Sequence, residues 1–147
     1  MRIAIGCDPN AAGLKAIVRD ELSSLGHEVS DYGSDDPVYA NVVIEVAEAV
    51  ARGDYDRGVV LCGTGIGASI AANKVPGAYC ALVTDCYQAE RAALSNNANM
   101  IALGAQVTGE QVARVMVRTY MNSTYVPGGR SEPKIQRIYE YAASRTK

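Results

Sequence analysis

Apolar and polar residues along this 147-residue chain fall into two alternating patterns. Short, nearly continuous apolar runs bounded by turn residues read as buried strands. Longer stretches with apolar residues at helical spacing read as amphipathic helices. The strands are predicted at 2–7, 27–32, 57–62, 79–84 and 100–103, and the helices at 12–25, 40–52, 69–74, 85–94, 109–122 and 133–144. Gly26, Gly53 and the pair Pro76-Gly77 mark helix stops, Thr108 is placed as a helix cap, and Pro127-Gly128-Gly129 reads as a hinge before the last helix. The strand–helix rhythm predicts a Rossmann-like three-layer α/β sandwich around a parallel sheet of about five strands. The sandwich forms one domain over 1–147, with no internal repeat. The last helix, about 130–145, follows the hinge and carries Tyr139 and Tyr141 beside Ile135 and Ile138, a face suited to docking on a second subunit.

Composition narrows the field. Hydrophobic residues at 48% and charged residues at 20% are an ordinary globular balance, in a chain long enough for a real core. A net charge of -2 and the absence of Trp and Phe offer nucleic acid neither a basic surface nor a set of stacking platforms. No apolar run approaches the roughly 20 residues that span a bilayer, so no membrane partner is expected. The opening MRIAIGCD enters a strand without the basic-then-apolar layout of a secretory signal. Cys7, Cys62, Cys80 and Cys86 show neither CxxC spacing nor disulfide-framework density, which fits a reduced, cytoplasmic setting. The single histidine, His27, opens the second strand and reads as structural. No metal-ligand spacing occurs, and neither metal nor cofactor is expected.

The candidate chemistry gathers where an open α/β sheet binds its ligands, beyond the carboxyl ends of the strands. Cys7-Asp8 follows the first strand, Cys62-Gly63-Thr64-Gly65-Ile66-Gly67-Ala68-Ser69 the third, and Thr84-Asp85 the fourth. Glycines at alternate positions let backbone approach a ligand, and the helix behind them directs free N–H groups at it. A thiol beside helix-terminal amides is favoured as the thiolate. Cys62 thus places a base or nucleophile next to a cradle for developing negative charge. Taken alone, a cysteine is more often a small core hydrophobe. The run is also neither G-x-G-x-x-G after a first strand nor a P-loop ending in Gly-Lys-Ser/Thr.

Other polar residues carry two readings each. Asp8 is a helix N-cap or a ligand for a substrate hydroxyl. Tyr39 and Asn41 are packing and a polar helix start, or lie beside a ligand. The asparagines of Ser95-Asn96-Asn97-Ala98-Asn99 suit a turn, or offer amides to sugar hydroxyls. Arg130, Lys134 and Arg137, at i, i+4 and i+7, form a solvated face or a phosphate clamp.

Together these segments resemble the ribose-5-phosphate isomerase B family, which also includes galactose-6-phosphate isomerase subunits and related tetrose-phosphate isomerases. The resemblance covers nearly the whole chain. It is most specific at Cys62 to Gly67, at Ile70-Ala71-Ala72-Asn73-Lys74-Val75-Pro76-Gly77, at Asn96-Asn97-Ala98-Asn99 and at Leu103-Gly104, with Gly6-Cys7-Asp8 and Gly128-Gly129-Arg130 in support. It implies a metal-free aldose–ketose isomerase of a small phosphorylated sugar, working through a cis-enediolate. Cys62 would be the base and Thr64 would sit beside the reacting oxygens. Backbone amides of Gly63, Gly65, Ile66, Gly67, Ala68 and Ser69 would hold the enediolate. Asp8, Tyr39 and Asn96 would bind hydroxyls, and Arg130, Lys134 and Arg137 the phosphate. The same resemblance implies a homodimer or homotetramer whose sites are shared, with Asn96 and the terminal helix supplied by the partner chain.

Departures from the family pattern bear on the substrate. The ribose-phosphate members carry His-Asn-Asp-Ala-Asn where this chain has Ser95-Asn96-Asn97-Ala98-Asn99, and that histidine opens the furanose ring. A histidine after the first-strand aspartate is replaced by Pro9, and an arginine after the fifth strand by Gln106. The Arg-His pair before the last helix is Arg130-Ser131, and the next arginine position holds Lys134. A tetrose 4-phosphate cannot close a furanose ring, because its O4 carries the phosphate, so its isomerase needs no ring-opening group. Ala89 to Asn97, Tyr39-Ala40-Asn41 and Gly129-Arg130-Ser131 are similar to the D-erythrulose-4-phosphate isomerase branch. Alternatives are a ribose 5-phosphate/ribulose 5-phosphate or hexose 6-phosphate isomerase, a non-catalytic sugar-phosphate-binding subunit, and a flavodoxin-like nucleotide binder.

Overall fold

A computed structural model describes residues 1–145. Five strands form one sheet: β1 (Arg2–Cys7), β2 (Glu28–Asp31), β3 (Arg57–Cys62), β4 (Cys80–Leu82) and β5 (Met100–Gly104). Their order is β2-β1-β3-β5-β4 and every neighbouring pair is parallel. The helices are α1 (Ala12–Ser24), α2 (Tyr39–Ala51), α3 (Ile66–Ala72), α4 (Cys86–Leu94), α5 (Glu110–Asn122) and α6 (Glu132–Arg145), with one 3₁₀ turn at Pro9–Ala11. The predicted Rossmann-like sandwich is the fold.

The strand period of two divides the core into two layers. Ile3, Ile5, Val59, Leu61, Ile101 and Leu103 pack against Val18 and Leu22 of α1, Ala89 and Ala93 of α4, and Met116, Val117 and Tyr120 of α5. The intervening residues Ala4, Val60, Cys62, Met100 and Ala102 pack against Val43, Val46 and Val50 of α2 and Ala68 and Ala72 of α3. Both faces are covered, so the central strands read as continuous apolar runs. The second layer lies close to the sheet: a Cβ on Gly6 would meet Val42 Cγ2 at 2.7 Å.

Polar side chains tie the elements together. Glu21 of α1 accepts from Arg118 at 2.7 Å and Arg114 at 3.4 Å of α5, and Lys15 meets Asp31 at 2.7 Å. Arg57 stacks 4.5 Å from the Tyr120 ring centroid and donates to the carbonyls of Tyr120 and Ser123, closing the C-terminus of α5. The edge strand β4 is covered by a side chain: the Asn73 amide donates to the Cys80 carbonyl and accepts from the Cys80 N–H, each at 2.8 Å. Asn73 thereby stands in for a neighbouring strand at an otherwise open edge.

Helix α6 lies outside the three layers. Ile135 is its buried residue, the Tyr139 ring packs on Tyr79 with centroids 5.1 Å apart, and Asn97 Nδ2 donates to the Tyr139 hydroxyl at 3.0 Å. Ile138 and Tyr141 stay exposed, as do Ile66 and Ile70 on α3. No helix of the described residues is long and apolar enough to cross a membrane.

Three expectations need correction. The helix after the glycine run begins at Ile66, not 69, because Gly65 takes φ +78 as its cap and ends the turn early. Thr108 does not cap α5: it belongs to the turn in which Val107 and Thr108 both donate to the Gly104 carbonyl, so the extended cap position falls on Gly109. The edge strands are shorter than 27–32 and 79–84, although isolated ladder bonds such as Tyr32 N–H to Ile5 O (2.8 Å) and Val83 N–H to Ala102 O (3.1 Å) continue beyond them.

Candidate active site

The sheet order reverses between β1 and β3, and a cleft opens at the carboxyl ends of those strands, where open α/β sheets hold ligands. Asp8, Asn10, Tyr39, Cys62, Gly63, Thr64, Gly67 and Gln106 line it, with Pro37 at its side. Cys62 is the last residue of β3 and only 4% exposed. The N–H of Gly65 donates to its Sγ at 3.2 Å, which fixes the sulfur beside the turn. The turn itself is held by backbone: Ala105 N–H donates to Cys62 O and Gln106 N–H to Gly63 O, both at 2.9 Å.

Two more thiols are buried, Cys7 and Cys80. Burial pushes Cys7 up to about 11, against a partial lowering by nearby Lys15. Burial also pushes Cys80 up to about 12, with only a small offset from Ser69. Neither lines the cleft, and both are inert packing thiols at neutral pH.

Many of the amides predicted as ligand donors are committed within the protein. Gly65 N–H goes to Cys62 Sγ, Ile66 N–H to Thr64 Oγ1 at 3.3 Å, and Ser69 N–H to Gly65 O at 3.0 Å. Ala68 is fully buried beneath Cys62 in the α2–α3 layer. Ile66 is half exposed and outside the cleft lining. Gly63, Thr64 and Gly67 are the loop positions that face the cleft. Thr64 Oγ1 accepts from Ile66, which leaves its hydroxyl proton for a ligand.

Asp8 fulfils both of its readings. Its Oδ1 accepts from Ala11 N–H at 3.3 Å as the cap of the 3₁₀ turn, its Oδ2 faces Asn10 Nδ2 at 3.4 Å, and it lines the cleft. Tyr39, the first residue of α2, brings its hydroxyl onto Gly67. Asn41 is taken up locally, donating to Asp36 at 2.9 Å. Asn10 and Gln106 join the cleft although the motif reading assigned neither a role. A one-residue step past Asp8-Pro9 was the only available signal for Asn10.

Asn96 and the cations lie elsewhere. A second cleft is lined by Arg91, Ser95, Asn96, Arg130, Ser131 and Lys134 over a floor of Ile135 and Ile138. It shares no lining residue with the first. Arg137 is not brought there: its guanidinium lies toward Glu140 (4.0 Å) and the Tyr141 ring, neighbours three and four residues on along α6 that compete for it. Of the other asparagines, Asn97 bonds Tyr139, and Asn99 accepts from Tyr79 N–H (2.8 Å) and donates to Gly77 O (2.9 Å). Asn97 also takes φ 49, the left-handed turn geometry that asparagine tolerates. Arg91 was not anticipated. Its place one helical turn before Ser95 was the signal that could have found it.

His27 sits at the opposite end of the sheet, with Nδ1 3.1 Å from the amino terminus. Burial, then the charges of the amino terminus and Arg57, hold it below the usual histidine range. Among the described residues no group of three or more His, Cys, Asp or Glu side chains is arranged to hold a metal ion.

Comparison with known proteins places these features in context. The family model described as Ribose/Galactose Isomerase matches residues 3–138. The chain is 42% identical to a D-erythrulose-4-phosphate isomerase of Pectobacterium atrosepticum, over 96% of this chain and 95% of that protein. It is 40% identical to a ribose-5-P isomerase B of Listeria innocua, over 95% and 96% of the two chains. Among solved structures, ribose-5-phosphate isomerase B of Clostridium thermocellum superposes with a TM-score of 0.92 at 39% identity, covering 99% of this chain and 100% of that one.

Proposed function

Since this chain belongs to the ribose/galactose isomerase family and is an aldose–ketose isomerase of a sugar phosphate, we propose that its preferred substrate is a short open-chain one, a tetrose 4-phosphate. We propose further that its two clefts face each other across a two-fold interface in a homodimer, or in a homotetramer built from such dimers. The cleft of one chain supplies Cys62, Thr64, Asp8 and Tyr39. The other chain supplies Asn96, Arg130 and Lys134. The exposed apolar residues Ile66, Ile70, Ile138 and Tyr141 support this pairing, since a second copy would remove them from water.

In this reading the Cys62 thiolate takes the proton from C1 of the ketose. The C–H electron pair forms the C1–C2 double bond, and the carbonyl π electrons move to O2, giving a cis-enediolate. A proton passes from O1 to O2, and the Cys62 thiol returns its proton to C2, leaving the aldose. Gly63, Thr64 and Gly67 line the cleft, and their backbone N–H groups and the Thr64 hydroxyl would stabilise the charge on O1 and O2, a preorganised stabilisation of the kind that dominates many rate enhancements. Asp8 and Tyr39 hold hydroxyls.

One observation carries the open-chain substrate. Neither cleft is lined by a histidine; the only one in the chain, His27, lies beyond the far end of the sheet. Ser95 occupies the second cleft and has no proton that moves near neutrality. A cyclic sugar would find no such group to open its ring. A tetrose 4-phosphate does not require one.

The test is a matched panel of D-erythrulose 4-phosphate, ribose 5-phosphate and galactose 6-phosphate, read by NMR with deuterium wash-in from solvent at C1 or C2. Higher kcat/KM on the tetrulose phosphate is expected. A clear preference for a cyclic sugar overturns the open-chain reading. Absence of solvent exchange with every sugar overturns the assignment of Cys62 as a proton-transferring base.

A further inference from the structure

We infer that Arg91 is a third phosphate-binding cation of this isomerase, and that Glu90 holds its charge in check. This rests on the reading of the second cleft as the half-site for the substrate's phosphate. Three observations carry it.

The first is convergence. Arg91 lines the same cleft as Arg130 and Lys134, but it comes from α4, whereas Arg130 lies in the turn just before α6 and Lys134 in the first turn of α6. The cations therefore reach the cleft from two separately anchored elements, which a dianion with three terminal oxygens can bridge.

The second is attachment. The Arg91 carbonyl accepts from Ser95 N–H (3.2 Å), Asn96 N–H (3.1 Å), Ser95 Oγ (3.2 Å) and Asn96 Nδ2 (2.9 Å). The root of the arginine side chain is thus locked to the loop that presents Asn96. Its guanidinium lies 5.5 Å from the Tyr87 ring centroid, a stacking contact that restrains the plane.

The third is a free donor edge. Glu90 Oε1 takes Nη2 at 2.5 Å and Nε at 3.2 Å, while Nη1 has no acceptor among the described residues. Glu90 itself does not line the cleft. The carboxylate occupies one side of the guanidinium and partly neutralises it. The Nη1 side remains for a phosphate oxygen, and a planar guanidinium suits that role better than an ammonium.

A solvated Arg–Glu pair with no ligand role predicts something different. Such a pair contributes little, and altering either partner would leave phosphate recognition alone. The experiment uses the full chain with D-erythrulose 4-phosphate, unphosphorylated erythrulose and inorganic phosphate as competitive inhibitor. The variants are R91M, R91K, E90Q and, as a control, R130M, each checked by thermal melting. In R91M the ratio of kcat/KM for the phosphorylated over the unphosphorylated sugar is expected to fall about 10- to 100-fold, the range of a lost charged hydrogen bond. R91K recovers part of it. E90Q is expected to tighten inhibition by inorganic phosphate about 2- to 5-fold, because a competing carboxylate is gone; in the R91M background that gain disappears.

If R130M lowers the ratio but R91M does not, the phosphate cleft stands and the role of Arg91 is refuted. An E90Q effect that survives in R91M refutes the pairing. If neither R130M nor R91M changes the ratio while the wild type remains active, the reading of the cleft itself fails.

Discussion

Two inactive variants of this protein should restore activity when mixed. The first is C62A. The second is R130M/K134M. The lining of the Cys62 cleft and that of the cation cleft have no residue in common, so each variant damages one cleft and leaves the other whole. In a two-fold dimer with shared sites, a hybrid of the two chains has one site carrying both lesions and one carrying neither. Random reassociation of equal amounts makes half the dimers hybrid, and each hybrid holds one intact site of two. Recovered activity should therefore be about a quarter of wild type, against near zero for either parent. The assay is isomerisation of D-erythrulose 4-phosphate below its KM, after differently tagged chains are co-refolded from mild denaturant and hybrids are isolated by both tags. Isolated hybrids should show about half of wild-type activity per dimer. If they show only the sum of the parents, the two clefts do not combine across an interface, and the shared-site reading is wrong.

Three further outcomes follow from single contacts. C62A should lose at least the roughly 10²–10⁴-fold typical of a general base, and C62S, which keeps an acceptor for Gly65 N–H, should recover stability but not deuterium exchange; normal exchange in either would reassign the base. E21Q should cost about 2–3 kcal/mol at pH 7 by urea unfolding, since Glu21 is buried and accepts from two arginines. The Arg118 hydrogen bond holds the Glu21 carboxyl below its usual value of 4.5, so its contribution is complete above that pH and is lost as pH falls through the lower folded value; the gap between wild type and E21Q should therefore close in acid, and a gap that widens there would contradict the assignment. N73A should destabilise by about 1–3 kcal/mol, because the Cys80 N–H loses its side-chain partner and the Cys80 carbonyl keeps only the Ser69 hydroxyl, while N73D should restore the acceptor for the N–H; hydrogen exchange at Cys80 checks it.

Most of the fold was legible because its signals are local and its central strands are covered on both faces. The apolar runs ending at Cys7, Cys62 and Leu103 read as buried strands, and the helices between them carried their stripes in sequence. The misread boundaries sit where a tertiary contact overrode a local preference. Thr108 has a capping side chain, but the turn closed on the Gly104 carbonyl moves the cap by one residue. The candidate site was legible only in part. Cys62, Thr64, Asp8 and Tyr39 follow strand ends or open a helix, and those positions can be read along the chain. The separation of Asn96, Arg130 and Lys134 into a second cleft is a fact of three-dimensional packing. Arg137 shows the limit: its spacing from Lys134 and Arg130 satisfies a helical face, yet its guanidinium is taken by Glu140 and Tyr141 farther along α6, contacts that the spacing does not announce. Arg91 shows the converse, a residue without a motif that helix α4 carries to the cations.

The glycines of the active-site turn have a different cause from the one their spacing suggests. Alternating glycines invite the reading that a ligand approaches the backbone, but in this protein the crowding atoms belong to the protein. A Cβ on Gly67 would lie 2.2 Å from the Tyr39 hydroxyl oxygen. Gly65 combines φ +78 with the Leu103 carbonyl carbon at 2.9 Å from its missing Cβ. Gly104, outside the motif altogether, would set a Cβ 2.4 Å from the Thr64 carbonyl carbon. Gly63 is the exception: its nearest neighbour is the mobile end of Gln106 at 3.4 Å, an ordinary contact. So the turn carrying Cys62 and Thr64 lies directly on the end of β5, and Tyr39 lies directly on the turn. Such packing leaves the backbone no room to relax. It therefore holds Sγ, the Thr64 hydroxyl and the Tyr39 hydroxyl in one fixed arrangement before any substrate arrives. That is what preorganised stabilisation of a transient enediolate requires, because donors already in place need no reorganisation at the moment charge develops.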